Sequence, residues 1–132
     1  MEDNNLNQQC FTDLDYLYTR KSWFAPEEFE PDEDMREGVY EGATILVIGA
    51  GGLGCEILVD LAMSGIKNIH IIDLDWIDVT NLNRQFLFRM KDVGQYKSDV
   101  AAAFVNEKYP GINVTAYTKP IQDFDEEFYR QF

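Results

Sequence analysis

Sulfur, histidine, basic charge and long apolar runs are all scarce in this sequence. Its two cysteines, Cys10 and Cys55, form neither a C-x-x-C pair nor a metal-ligand spacing. That argues against a disulfide framework or a thiolate metal site and points to a reducing compartment, cytoplasmic or nuclear. No apolar run approaches the roughly 20 residues of a membrane helix, so no membrane association is expected. The acidic, polar N-terminus lacks the apolar core of a secretory signal. Basic residues number 11 against 24 acidic ones, a net charge of −13. Met1–Gly42 holds 12 of the acidic and 3 of the basic residues, net −9, leaving −4 for the rest of the chain. A chain with this balance is not built to bind DNA, RNA or anionic membranes.

With 132 residues, 45% of them hydrophobic and 14% aromatic, the chain can bury one modest core. It divides into an acidic N-terminal arm, residues 1–42, and a domain over residues 43–132. In the arm, Phe11, Leu14, Leu17 and Tyr18 suit one face of a short helix; a weakly ordered arm and a docking helix are both open. Trp23, Phe24 and Phe29, with Pro26 and Pro31, make an extended aromatic segment. Pro31 is placed to open a short helix within the acidic run Glu30–Glu37.

The domain opens on Thr44-Ile45-Leu46-Val47-Ile48, an apolar β-branched run of strand length. It leads into Gly49-Ala50-Gly51-Gly52-Leu53-Gly54, which fits G-x-G-x-x-G. In that motif the glycines serve a tight turn, close approach of backbone to phosphate, and close packing of helix on strand. A helix follows from about Gly52 to Ser64, with Leu53, Ile57 and Leu61, joined by Leu58 and Ala62, as its apolar face and Gly65 as its stop. Its free N–H groups and dipole favour an anion at the loop. Cys55 lies near the helix start, where a dipole can activate a thiol; a small buried packing residue is the better reading. A second strand runs from Asn68 to Asp75 and contains His70, read as half-buried and structural. Asp73 and Asp75 end it, an acid near the offset at which such folds bind a ribose. Gly94–Tyr109 reads as a helix, Ile112–Tyr117 as a third strand, and Asp125–Phe132 as the start of a short helix with Asp125 as N-cap. The fold class is therefore α/β, a Rossmann-like parallel sheet with flanking helices, truncated after the third strand and the helix that follows. Its open edges predict either a piece of a larger fold or completion by a partner surface.

Arg84, Arg89, Lys91 and Lys97 form a basic cluster in an otherwise acid-dominated chain. The topology brings Arg84 and Lys97 toward the crevice at the glycine loop, Arg as a fixed fork for phosphate oxygens and Lys as a mobile point charge. Arg89 and Lys91 read as solvated surface charges.

The glycine loop with Cys55-Glu56, then Ile72-Asp73-Leu74-Asp75, then Asp78-Val79-Thr80-Asn81-Leu82-Asn83-Arg84-Gln85-Phe86-Leu87-Phe88-Arg89, Val93-Gly94 and Lys97, resembles the adenylation domain of the ubiquitin-like modifier activating enzymes, of ThiF/MoeB type. Within that family the neddylation branch, by its catalytic subunit, fits better than the SUMO branch. Ile121-Gln122-Asp123-Phe124 leads without insertion to Phe128-Tyr129-Arg130-Gln131-Phe132, and the arm contains Phe29-Glu30-Pro31. The resemblance implies an ATP site that activates the C-terminal carboxylate of a ubiquitin-like modifier as an acyl adenylate, before a cysteine of the enzyme takes the acyl group. Matched by position, Gly49, Ala50, Gly51, Gly52, Leu53 and Gly54 cradle the nucleotide and Asp73 binds the ribose hydroxyls. Asn81, Arg84, Gln85 and Lys97 line the phosphates, with Arg84 and Lys97 the catalytic cations and Asp75 near the phosphates or the Mg2+. The resemblance assigns no metal ligand within this chain: the family's magnesium-binding aspartate is expected beyond Phe132, as are its catalytic cysteine and ubiquitin-fold domain. Cys55 matches a non-catalytic position. The implied partners are a regulatory subunit in a heterodimer, the modifier and a conjugating enzyme, and this chain alone is expected to be inactive. Two other readings stand beside this one. One is a non-catalytic module that docks on the partner subunit; the other is an NAD-dependent oxidoreductase, resting only on the glycine loop and Asp73.

Overall fold

β1 (Thr44–Ile48), β2 (Asn68–Ile72) and β3 (Asn113–Tyr117) form a parallel sheet in the order β1-β2-β3 in the computed structural model. Residues 37–132 are described throughout, together with 20, 23, 24, 26–28, 30, 32 and 34. The readings made for Cys10, Phe11, Leu14, Leu17, Tyr18, Phe29 and Pro31 lie outside the described residues. No described helix is long and apolar enough to cross a membrane.

The register places Ile45 opposite Ile69 and Ile69 opposite Val114. Side chains alternate between faces with period two, so Val47, Ile69, Ile71 and Val114 share one buried face. The crossovers α1 (Gly52–Met63) and α2 (Lys97–Lys108) pack on that face, as right-handed connections between neighbouring parallel strands require. Cys55, Leu58 and Ala62 of α1 meet Ala101, Ala102 and Val105 of α2 in the core. Tyr40, in the π-helical turn Glu37–Glu41, joins the same core. On α2, Asn106 donates to the Val114 carbonyl at 3.0 Å and accepts from its N–H at 2.8 Å, satisfying the outer backbone of β3.

On the opposite face of the sheet an aromatic layer lies over β2 and β3, while Ile48 of β1 stays exposed. His70 and the Tyr117 hydroxyl share a hydrogen bond of 2.9 Å with their rings stacked. Phe124 and Phe128 pack edge-on to Tyr117, and Phe132 meets His70 with ring centroids 5.0 Å apart. The one-turn helix α3 (Glu126–Tyr129) carries Phe128, and Asp125 caps it by accepting from the Phe128 N–H at 2.8 Å.

Three element readings need correction. The buried stripe of α1 is Cys55, Leu58 and Ala62; Leu53 and Ile57 point outward, 74% and 40% exposed. They stand beside the outer edge of β1, which pairs with no other described strand, and border a groove of about 550 Å³ with Ile45 and Ile48. β2 stops at Ile72 rather than Asp75, because the chain past Asp73 turns away to pair with residues 94–97. For the same reason α2 begins at Lys97 and not Gly94.

Candidate functional site

The C-terminal ends of β1 and β2 meet at the glycine turn. Gly49 leaves β1 with φ of +100°, a conformation that a side chain resists, and its N–H donates to the Ile72 carbonyl at 2.7 Å. A Cβ on Gly54 would lie 1.9 Å from the Gly49 carbonyl oxygen, so the first turn of α1 rests directly on the turn backbone. At Gly51, by contrast, a Cβ would meet nothing within 4 Å, and that side of the loop is open. No side chain caps α1 and its first turn holds no acidic residue. The partial positive charge at this helix start is left for an incoming anion.

Asp73, just past β2, fastens the loop to its surroundings. One carboxylate oxygen accepts from the Ala50 N–H at 2.6 Å and the other from the Asp75 N–H at 2.8 Å, while the Ser98 hydroxyl donates to the Asp73 carbonyl at 2.8 Å. Lys97, the first residue of α2, donates to Asp75 at 2.8 Å. The pair is asymmetric: the Lys97 side chain is 9% exposed and that of Asp75 62%. A buried ammonium held by a solvent-facing carboxylate is one for which a phosphate can compete.

The third component is the segment after Asp78. Asp78 caps a 3₁₀ turn (Val79–Asn81), accepting from the Thr80 N–H at 2.8 Å, and Asn81 accepts from the Asp78 N–H at 2.9 Å. The hydrogen bonds from Thr80 hold the Asp78 carboxyl below its ordinary range. Asn81 is buried by this role. Gln85 is 3% exposed, and its Oε1 has no hydrogen-bond partner among the described residues. Arg84 reaches the glycine turn by its backbone, its carbonyl oxygen lying 3.3 Å from where a Gly52 Cβ would stand. Its guanidinium donates to the Thr80 carbonyl at 2.9 Å and to Asn83 at 3.1 Å, within its own loop.

The structure thus links Ala50, Asp73, Asp75 and Lys97 by a continuous run of contacts and brings the Arg84 backbone to the same turn. Leu53 faces outward and lines a groove together with Gly49, Gly51, Gly52 and Gly54. Arg89 and Lys91 stand apart, exposed, on a cleft of about 480 Å³ against α2; Arg89 donates to the carbonyls of Phe86 and Phe88. Cys55 is fully buried and its thiol donates to the Ala50 carbonyl at 3.5 Å. Burial and the Asp73 carboxylate push it up to about 11, which makes it inert near neutral pH. His70 is drawn down from its ordinary value by burial in the aromatic layer. Ser98 is the site residue that sequence reasoning missed, since nothing in spacing marks a serine whose hydroxyl ties α2 to the end of β2. Among the described residues no group of three or more His, Cys, Asp or Glu side chains is disposed to hold a metal ion.

The sequence matches the model of the ThiF family over residues 33–132. Among curated proteins it is 53% identical over 124 residues to the NEDD8-activating enzyme E1 catalytic subunit of Dictyostelium discoideum, covering 91% of this chain and 28% of that protein. The protein of that name from Drosophila melanogaster is 46% identical over 127 residues, covering 96% and 28%. The chain therefore spans under a third of the length of these relatives. Among solved structures it is similar to Escherichia coli MccB in complex with ATP, at 35% identity and a TM-score of 0.63, covering 69% of this chain and 27% of that one. It is also similar to the E. coli tRNA N6-threonylcarbamoyladenosine dehydratase TcdA, at 29% identity and a TM-score of 0.67, covering 85% and 41%.

Proposed function

The chain belongs to the ThiF family, and from that membership we infer that it supplies the ribose and phosphate side of an ATP site that adenylates the C-terminal carboxylate of a ubiquitin-like modifier in neddylation. The observation that carries this reading is the run from the open glycine turn through Asp73 and Asp75 to a buried Lys97. An anion placed at Gly51 meets the helix start, and the run of contacts leads from there to an ammonium whose present partner is exposed to solvent. The buried Gln85 Oε1, without a donor among the described residues, supports the same reading.

In the proposed reaction a carboxylate oxygen of the modifier bonds to the α-phosphorus, and the bond to the bridging oxygen breaks as pyrophosphate leaves with the electron pair. Catalysis of this kind rests on positioning and charge neutralisation. Lys97 neutralises phosphate charge. Asp73 accepts from the ribose hydroxyls through lone pairs left over from its two backbone bonds. Arg84 contributes after its guanidinium turns away from Thr80. Asp75 is an exposed carboxylate suited to one side of a Mg2+, an ion that takes one or two carboxylates together with phosphate oxygens; a further aspartate beyond Phe132 would complete that set. By the same reading the chain works in the cytoplasm or nucleus with a regulatory subunit and a conjugating enzyme, and is inactive alone.

The test is a chimera in which residues 1–132 replace the matching segment of the Dictyostelium relative. Modifier-dependent exchange between ATP and pyrophosphate is expected, with at least a tenfold loss of kcat/KM in Lys97→Ala and in Arg84→Ala. Exchange by the chimera that is indifferent to both substitutions would overturn the residue roles.

A further inference from the structure

Lys97 and Asp75 lie on segments that no sheet organises: Asp75 is past the end of β2, Lys97 opens α2, and the chain between them runs through irregular turns. What joins them is a short antiparallel ribbon. The Lys97 N–H donates to the Asp75 carbonyl at 3.0 Å, the Ile77 N–H to the Gln95 carbonyl at 2.8 Å, and the Gly94 N–H to the Ile77 carbonyl at 2.9 Å. Trp76 stands opposite Tyr96 at the centre of the ribbon. The flanking residues carry the hydrogen bonds, so this is the pair whose side chains approach most closely. Their rings do so, with centroids 4.5 Å apart at 42°. Trp76 keeps 59% of its surface exposed, so the ring adds little to the core. A two-stranded ribbon of this length is marginal by itself, and a cross-strand aromatic pair is the kind of contact that stabilises one.

We infer that Trp76 and Tyr96 are positioning residues, a ring pair that closes the ribbon and thereby sets where the neighbouring Lys97 ammonium is held. That the ammonium so placed serves a nucleotide rests on the function proposed above; that the ring pair places it does not. Sequence reading gave no sign of this device, because Trp76 and Tyr96 are separated by 19 intervening residues and fall outside every periodic element.

The experiment is lysine acylation of the full chain by acetic anhydride, read residue by residue in a mass spectrometer. Wild-type Lys97 is expected to label slowly beside the exposed Lys91 and Lys119. In Trp76→Ala and in Tyr96→Ala, Lys97 labels about 3- to 10-fold faster, the range that a lost aromatic pair allows, while Lys91 and Lys119 keep their rates. Trp76→Phe restores protection. An unchanged Lys97 rate in both alanine variants would overturn the inference, and so would an equal rise at all three lysines or a failure of Trp76→Phe to rescue. Trp76→Leu serves if Trp76→Ala does not fold: fast labelling of Lys97 there supports the ring pair, and wild-type labelling refutes it. A parallel arm adds ATP and follows Trp76 fluorescence in a Trp23→Phe background. Labelling that obeys the pattern while ATP neither protects Lys97 nor alters Trp76 emission upholds the clamp and counts against the nucleotide function.

Discussion

Replacing Gly54 by alanine tests how the glycine turn is built. The new Cβ would stand 1.9 Å from the Gly49 carbonyl oxygen and 2.8 Å from its carbon, where ordinary contact begins near 3.4 Å. Both obstacles are backbone, so no rotamer relieves the overlap. The first turn of α1 must lift by more than an ångström, and Cys55 and Leu58, both fully buried, lift with it. Overpacking of a well-filled interior costs about 1–3 kcal/mol, and more when the neighbour cannot yield; the expected loss is about 3 kcal/mol or greater. At about 4–8 °C per kcal/mol for a domain of this size, the melting temperature should fall by at least about 10 °C. Two neighbours calibrate the measurement. Gly51→Ala adds a methyl into open space and should melt within about 2 °C of wild type. Gly52→Ala meets the Arg84 carbonyl at 3.3 Å and should fall between the two. Circular dichroism melts of the three variants read the order directly. A Gly54→Ala protein as stable as wild type, or less perturbed than Gly52→Ala, would refute the packing account.

Other expectations follow from groups outside that turn. In a Cys10→Ser background, Cys55 should resist iodoacetamide at pH 8, where a thiol with a pKa near 11 is only about one part in a thousand thiolate; fast alkylation of the native chain would contradict its burial. His70 prefers its neutral form in the fold, so it costs no stability well above the ordinary histidine pKa. As pH falls below about 6.5 the unfolded chain takes up the proton first, and stability declines until the folded state also protonates. His70→Gln should flatten urea midpoints between pH 7 and 5, and an unaltered slope would assign the effect elsewhere. Asn106→Ala removes two hydrogen bonds to Val114; a loss of about 1–3 kcal/mol is expected in denaturant melts, and no loss would mean that water replaces the side chain.

Strand composition and turn chemistry made much of the architecture legible. Thr44–Ile48 and Asp125 fall where β-branched content and capping preference put them, and β3 differs by one residue. The buried face of α1 differs from the expected one because Leu53 and Ile57 are as hydrophobic as Leu58, and periodicity does not say which of them meets the sheet. The segment from Leu74 to Tyr96 was opaque for a different reason. Its order comes from side chains bonding to backbone, as at Asp78 and Asn81, and from a long-range ribbon, neither of which has a period. The candidate site was visible as residue types, whereas its wiring was not. That Asp73 holds the glycine turn through the Ala50 N–H, or that Lys97 is buried against an exposed carboxylate, follows from contacts between residues 22 or more positions apart, which leave no local pattern.

The edge of β1 that no described strand covers bears on how the chain behaves in a tube. Backbone donors and acceptors of an edge strand, bordered here by Ile48, Leu53 and Ile57 at 58%, 74% and 40% exposure, invite a second molecule to pair or to stick. A net charge of −13 opposes that approach. That repulsion is long-ranged only in dilute electrolyte, because a Debye length of about 10 Å at 0.1 M shrinks to about 3 Å at 1 M. Added salt screens the repulsion between copies and the self-repulsion within each fold alike, so ionic strength is expected to set the concentration at which the chain can be handled, with turbidity against salt as the measurement.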